Sequence, residues 1–62
     1  MNAVGLSEQI ECVRREIALR ERVYPRWVSA GKMTQVKAND EIAAMRAVLA
    51  TLVSLLDKDR LL

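Results

Sequence analysis

The chain has 62 residues, a formal net charge of +2 and 52% hydrophobic residues, with no histidine and a single cysteine. This length is one small domain near the lower limit for a self-sufficient core, and a lone cysteine excludes an intramolecular disulfide. Small chains without disulfides or metal ligands are usually stabilised by oligomerisation, so we expect a homodimer. The balanced charge argues against a strong preference for polyanions.

The N-terminal residues 1–6 contain neither the basic region nor the apolar core of a secretory signal. The longest stretch without charge, residues 47–56, is far shorter than the roughly 20 residues that span a bilayer. A lone cysteine also suits a reducing compartment. The sequence therefore predicts a cytoplasmic protein with no membrane segment, in which residues 1–6 form a loose arm.

The first predicted helix covers about residues 8–30. Ser7 is its predicted N-cap, and apolar residues recur at helical spacing on two stripes of its surface. The first stripe contains Ile10, Val13, Ile17, Tyr24 and Val28, and the second contains Cys12, Leu19, Val23 and Trp27. Pro25 lies inside this pattern, so we expect the helix to bend near residues 21–25 and to continue beyond it.

The second predicted helix covers about residues 35–56, and residues 57–62 are expected to fray. Arg46 is the only charge in residues 42–56. The apolar seam of this helix alternates steps of four and three. It contains Ala38, Ile42, Met45, Leu49, Leu52 and Leu56.

The connection between the two helices is short. Gly31 is expected to end the first helix in a left-handed conformation, and Thr34 is expected to cap the second. Helices of matched length joined by three or four residues predict an antiparallel hairpin.

The predicted fold class is all-α, an antiparallel two-helix hairpin that dimerises into a four-helix bundle. In a lone hairpin each helix hides one stripe, so the second stripe of helix 1 or part of Val48, Leu52 and Leu55 is left in water. Two hairpins give every helix two neighbours and cover both stripes. The residues expected in the core or the dimer interface are Ile10, Val13, Ile17, Leu19, Val23, Tyr24, Ile42, Met45, Leu49, Leu52 and Leu56.

Glu16 and Arg20 lie among these apolar residues, four positions apart in the favourable order. One interpretation is an interface ion pair that fixes the register of the dimer. The other is an ordinary exposed pair that contributes little to stability. The sequence leaves both open.

The candidate partner-binding residues lie near the expected bend. They are Arg15, Arg22, Arg26, Trp27 and Lys32. Arginine and tryptophan are enriched in protein-binding hot spots, and a basic ridge beside aromatic rings also suits phosphates and bases. A solvated face is favoured over a nucleic-acid surface because Glu8, Glu11 and Glu21 share its arc. Trp27 itself is expected in the core more than as an exposed anchor.

No catalytic residue, metal site or cofactor is predicted. The sequence has no histidine, no glycine-rich phosphate loop and no pair of ligands spaced for a metal. Cys12 is interpreted as a small packing residue, because a nucleophile needs a nearby base and an electropositive environment. The sequence therefore favours a non-enzymatic protein.

Several pieces of the sequence resemble a group of small phage and prophage proteins. These pieces are residues 11–20, 23–28, 31–33, 37–38 and 41–43 with Met45; Tyr24-Pro25-Arg26-Trp27 and Gly31-Lys32-Met33 are the most distinctive. The best-understood member of the group is an anti-quorum-sensing anti-activator. The resemblance implies a phage-encoded homodimer of helical hairpins that inhibits a host bacterial protein. The implied targets include a LuxR-type transcriptional regulator and a pilus-assembly ATPase.

The sequence leaves two other functional classes open. The first is a small basic protein that binds nucleic acid or modulates transcription through Arg15, Arg22 and Arg26. The second is an antitoxin-like partner of a neighbouring gene product.

Overall fold

The structure is a computed structural model that describes residues 3–61, with side chains described up to residue 60. Two α-helices make up most of this range: α1 spans Leu6–Ser29 and α2 spans Gln35–Leu61. They pack against each other as a hairpin joined by residues 30–34. The all-α helical hairpin predicted from the sequence is confirmed.

α1 begins earlier than predicted. Its N-cap is Gly5, which has extended backbone angles (φ −68°, ψ 160°) and makes no side-chain capping bond. The Gly5 carbonyl accepts a hydrogen bond from the Gln9 N–H at 3.0 Å, so the first helical turn closes there. The prediction of Ser7 as the N-cap is wrong, because glycine is itself an accepted N-cap residue. Residues 1–2 of the predicted arm lie outside the described residues.

α1 continues through Pro25 and ends in a Schellman motif. The Gly31 N–H donates to the Val28 carbonyl at 3.1 Å, and the Lys32 N–H donates to the Trp27 carbonyl at 2.9 Å. Gly31 has a φ of 73°, in the left-handed region that side chains disfavour. The predicted left-handed cap at Gly31 is confirmed.

Thr34 caps α2, as predicted. Its Oγ1 accepts a hydrogen bond from the Lys37 N–H at 3.0 Å, and its carbonyl accepts one from the Ala38 N–H at 3.0 Å. These two bonds satisfy amide groups that have no partner inside the helix.

α2 extends to Leu61, so its predicted end at residue 56 is wrong. Lys58 and Arg60 lie in the last turn, where positive charge interacts favourably with the helix dipole. The charged sequence that suggested an end is therefore compatible with a helix surrounded by water. Residue 62 lies outside the described residues.

The buried core of the hairpin is small. Over the described side chains, the buried hydrophobic residues are Ile10, Ile17, Tyr24 and Ala38. The three from α1 are seven residues apart and therefore line one face of that helix. The predicted seam of α2 beyond Ala38 is only half-buried, as are Val13 and Val23 of α1.

The hairpin is elongated. Its radius of gyration is 14.6 Å, whereas a compact chain of this length has about 11 Å. Its accessible surface is 4891 Å², whereas a compact monomer of 7.0 kDa exposes roughly 4,000 Å². A single hairpin thus leaves more surface in water than is usual for its mass.

Replacing Thr34 with alanine removes the side-chain acceptor at the start of α2. We expect Thr34→Ala to lower the free energy of unfolding by about 1 kcal/mol, the typical contribution of an N-cap. Thr51→Ala is the matched control, because the Thr51 hydroxyl donates to the Ala47 carbonyl within the helix and caps nothing. Urea denaturation followed by circular dichroism compares the two variants. Equal losses would contradict the capping role.

Candidate interaction surface

The two broad sides of the hairpin differ in chemistry. Successive helical residues are about 100° apart, so positions on either side of the buried line of α1 fall on opposite sides of the hairpin. The polar flank is defined by Glu11, Arg14, Glu21 and Pro25 of α1 and by Asn39, Ala43, Arg46 and Asp57 of α2, which line its grooves. The open flank is defined by Val13, Glu16, Arg20, Val23 and Trp27 of α1 and by Val48, Leu52 and Leu55 of α2.

An ion pair joins the two helices on the polar flank. Arg46 of α2 donates to the carboxylate of Glu21 of α1. A groove of about 450 Å³ lies beside it, between Tyr24 and Pro25 on one side and Ala38 on the other. The ion pair is not among the features predicted from the sequence, although Arg46 is the only charge in residues 42–56 and was a signal for it.

The open flank leaves large apolar side chains in water. Val48 is 48% exposed and Leu55 is 45% exposed. Leu19, at the edge of this flank, is 43% exposed, and Cys12 is exposed as well. Residues of the second predicted stripe are therefore uncovered in a single hairpin, and the predicted core position of Leu19 does not lie in the hairpin core.

Trp27 lies at the surface near the turn. Its side chain is 44% exposed, so the expectation of a core tryptophan is wrong for the single hairpin. Tyr24 lies on the buried line of α1, whereas Trp27, three residues later, lies on the open flank. The two rings still form a tilted aromatic pair, with centroids 5.8 Å apart and planes at 36°. Trp27 is thus an ordered apolar group that a partner can contact.

An ion pair lies near the middle of the open flank. The Arg20 Nε donates to the Glu16 Oε1 at 3.0 Å, one helical turn away. The Arg20 side chain is 31% exposed and that of Glu16 is 43% exposed, so the pair is intermediate between the two predicted cases. The hydrogen bond to Glu16 raises the pKa of Arg20, and the Tyr24 hydroxyl acts in the same direction. Both charges therefore lie among Val13, Val23 and Trp27 on the open flank.

A basic ridge runs along the back of α1, away from α2; it consists of Arg15, Arg22 and Arg26, all exposed. Among the described side chains, the ion pairs are Glu16–Arg20, Lys37–Glu41 and Glu21–Arg46, and none uses the ridge. Lys32 is exposed in the turn that follows. The structure thus brings Arg22, Arg26, Trp27 and Lys32 to the turn end of the hairpin. Arg15 lies about 10 Å further along the helix axis from Arg22.

Groups for other chemistry are scarce in the part of the chain that the structure describes. In that range, no three His, Cys, Asp or Glu side chains form a group that could hold a metal ion. Neither of the helices described there has an apolar stretch long enough to cross a bilayer.

Comparisons with known proteins give no match: no family model, no curated protein and no solved structure is similar to the chain. The resemblance to small phage proteins therefore stays a prediction. The open flank and the basic ridge are the features of the molecule that bear on its function.

Burial of Ile17, more than the Glu21–Arg46 ion pair, is expected to hold the two helices together. We expect Ile17→Ala to lower the free energy of unfolding by about 2 to 4 kcal/mol. Arg46→Ala should lower it by at most about 1 kcal/mol, because both side chains of the pair are exposed. Urea denaturation at one fixed protein concentration measures both losses. A larger loss from Arg46→Ala would show that the ion pair dominates.

Proposed function

We propose that the chain is a non-enzymatic protein-interaction module that works as a homodimer. Two hairpins pack through their open flanks to form a four-helix bundle. The observation that carries this proposal is the row of large apolar side chains left in water, Trp27, Val48 and Leu55. Several large apolar side chains exposed on one side of a small protein are typical of a protein-binding site.

Surface areas support the dimer. The hairpin exposes 4891 Å², roughly 900 Å² more than a compact monomer of its mass. Its broad side measures 48 by 21 Å, and a stable interface takes about 800 Å² from each partner. A second copy on the open flank therefore brings the exposed area close to the expected value. It also completes the burial of Leu52, which is half-buried in the single chain.

We assign partner binding to the turn end of the hairpin, around Arg22, Arg26 and Lys32. These side chains are exposed and lie outside the open flank, so the dimer leaves them accessible. Trp27 belongs to the open flank, so we assign it to the dimer interface and not to partner binding. Arginine is among the residues that most often dominate binding energy at protein interfaces. We also propose that α1 bends at Pro25. The proline nitrogen carries no hydrogen, so the Glu21 carbonyl receives no hydrogen bond from it and the helix can open on that side.

The resemblance suggests the class of partner. We propose that the dimer is phage-encoded, acts in the cytoplasm of a bacterial host and inhibits a host protein by covering a functional surface. LuxR-type transcriptional regulators and pilus-assembly ATPases are the first partners to test. Among the described side chains, the arginines of the basic ridge form no ion pair, so they are available to phosphate groups. Nucleic-acid binding is therefore tested as the alternative.

A charge on the open flank is expected to separate the dimer without unfolding the hairpin. Val48 is 48% exposed in the single chain, so Val48→Lys introduces no charge into the hairpin core. We expect it to weaken association by about 2 to 4 kcal/mol, because the dimer buries the lysine. Ala43→Lys, on the polar flank, is the matched control and should leave the dimer intact. Sedimentation equilibrium measures mass, and circular dichroism measures helix content. A wild-type monomer, or equal effects of the two lysines, would overturn the proposed dimer.

The basic ridge is tested with a double substitution. We expect Arg22→Ala with Arg26→Ala to weaken partner binding by about 2 kcal/mol or more, with no change in dimer mass. Arg14→Ala with Arg60→Ala removes the same charge from the opposite end of the hairpin and serves as the control. Calorimetric titration against purified LuxR-type regulators and pilus-assembly ATPases measures the difference.

Nucleic acid provides the competing outcome for the same variants. We expect a flat gel-shift titration with duplex DNA at low salt. Binding that disappears in the ridge variant and falls steeply with salt would replace the protein-partner assignment by the nucleic-acid one.

A further inference from the structure

We infer that the two hairpins pack antiparallel, α1 against α1 and α2 against α2, so that Glu16 of each chain pairs with Arg20 of the partner subunit. The inference rests on the proposed function, because it specifies the geometry and the recognition element of the proposed dimer. The open flank is then a surface that selects a second copy of this chain.

The first support is the symmetry of α1, which is centred close to Ala18. Glu16 and Arg20 lie two residues on either side of Ala18, and Val13 and Val23 lie five residues on either side. All four belong to the open flank. A two-fold axis at the level of Ala18 therefore places acid opposite base and valine opposite valine, which is the self-complementarity that a two-fold interface requires.

The second support is that the same axis passes close to the middle of α2. The ion pair between Glu21 and Arg46 shows which residues of the two helices are level. Because the helices run in opposite directions, Ala18 is level with Leu49, close to the middle of α2. Val48 is the adjacent open-flank residue and is 48% exposed. The axis that pairs the charges of α1 therefore brings Val48 against Val48 of the partner subunit.

The third support is the unused hydrogen-bonding capacity of the ion pair. Within its own helix, the Arg20 Nε bonds to the Glu16 Oε1. A guanidinium has further donors and a carboxylate has a second acceptor oxygen, and both side chains remain partly exposed. An apolar partner would bury these groups without partners, which is unfavourable. A second copy supplies the opposite charge to each, and the four side chains close into one network.

The parallel arrangement lacks this complementarity. An axis along the helices lays α1 against α2 of the partner subunit, and the open-flank residue at the level of the ion pair is then Val48 of the partner subunit. Glu16 and Arg20 meet no opposite charge in that arrangement. The antiparallel arrangement also places the two turn ends at opposite ends of a bundle whose hairpins are 48 Å long. It therefore presents two separate partner-binding surfaces.

Charge reversal in trans tests the pairing. Glu16→Arg makes the centre of the flank entirely positive, and Arg20→Glu makes it entirely negative. We expect each variant alone to dimerise at least about tenfold more weakly than wild type, because like charges meet at the axis. An equimolar mixture should form a heterodimer that recovers most of this loss, measured by native mass spectrometry with a mass tag on one chain.

The matched control is Glu11→Arg mixed with Arg14→Glu, exposed charges of the same helix on the polar flank. We expect both control variants to dimerise like wild type, with no preference for the heterodimer. Circular dichroism of each chain establishes that the hairpin is folded. If wild type is a dimer but the Glu16→Arg and Arg20→Glu mixture shows no preference, the pairing inference is overturned and the dimer stands. If wild type is a monomer, the proposed dimer and this inference fail together.

Disulfide trapping tests the direction of packing, in a Cys12→Ser background. We expect Val13→Cys mixed with Val23→Cys to form a disulfide between the two different chains, because these positions meet across the axis. Neither variant alone should cross-link, since two copies of one position lie about 15 Å apart along the axis. A disulfide needs Cα atoms within about 7 Å. A wild-type dimer whose Val13→Cys and Val23→Cys mixture forms no disulfide would overturn the inference.

Discussion

The limited burial that two helices can give each other is the constraint on which the rest of this structure depends. Each helix of a hairpin hides one stripe, and here the buried line of α1 is Ile10, Ile17 and Tyr24. Both helices carry a broader apolar surface than one stripe. The seam of α2 therefore remains half-buried, and the radius of gyration is 14.6 Å. The dimer that we propose uses the same apolar composition that forms the hairpin.

The ion pair between the helices and the ion pair within α1 have different consequences. Glu21 and Arg46 tie the helices together on the polar flank, where water screens them and their contribution to stability is small. Glu16 and Arg20 lie on the open flank, and in the proposed dimer their burial makes the arrangement of the two charges matter more than the strength of their attraction. A pair of this kind limits which surfaces can bind the flank, because a partner without complementary charges removes water from Glu16 and Arg20 and offers no hydrogen bonds in exchange. In the proposed dimer, self-recognition and partner binding thus use separate surfaces.

The sequence by itself determined the local elements of this protein. Thr34 and Gly31 act through backbone groups within a few residues, so their caps follow from residue type alone. The helical hairpin follows from apolar spacing and from a short connection. The candidate surface was predictable only in outline: a lone hairpin is expected to leave either the second stripe of α1 or part of Val48, Leu52 and Leu55 in water, and Leu19, Val48 and Leu55 are exposed. Trp27, which the sequence places in the core, is exposed as well.

Only the tertiary structure decided how the two helices are rotated about their own axes. That rotation turned Trp27 outward, brought Glu21 to Arg46 and left Glu16 and Arg20 half-buried on the open flank. Periodicity gives the angles between residues of one helix, whereas the line that faces the neighbour is set by packing across the hairpin. The helix ends at Gly5 and Leu61 also departed from the sequence patterns. Glycine can cap a helix without a side-chain signal, and basic residues stabilise a last turn that lies in water.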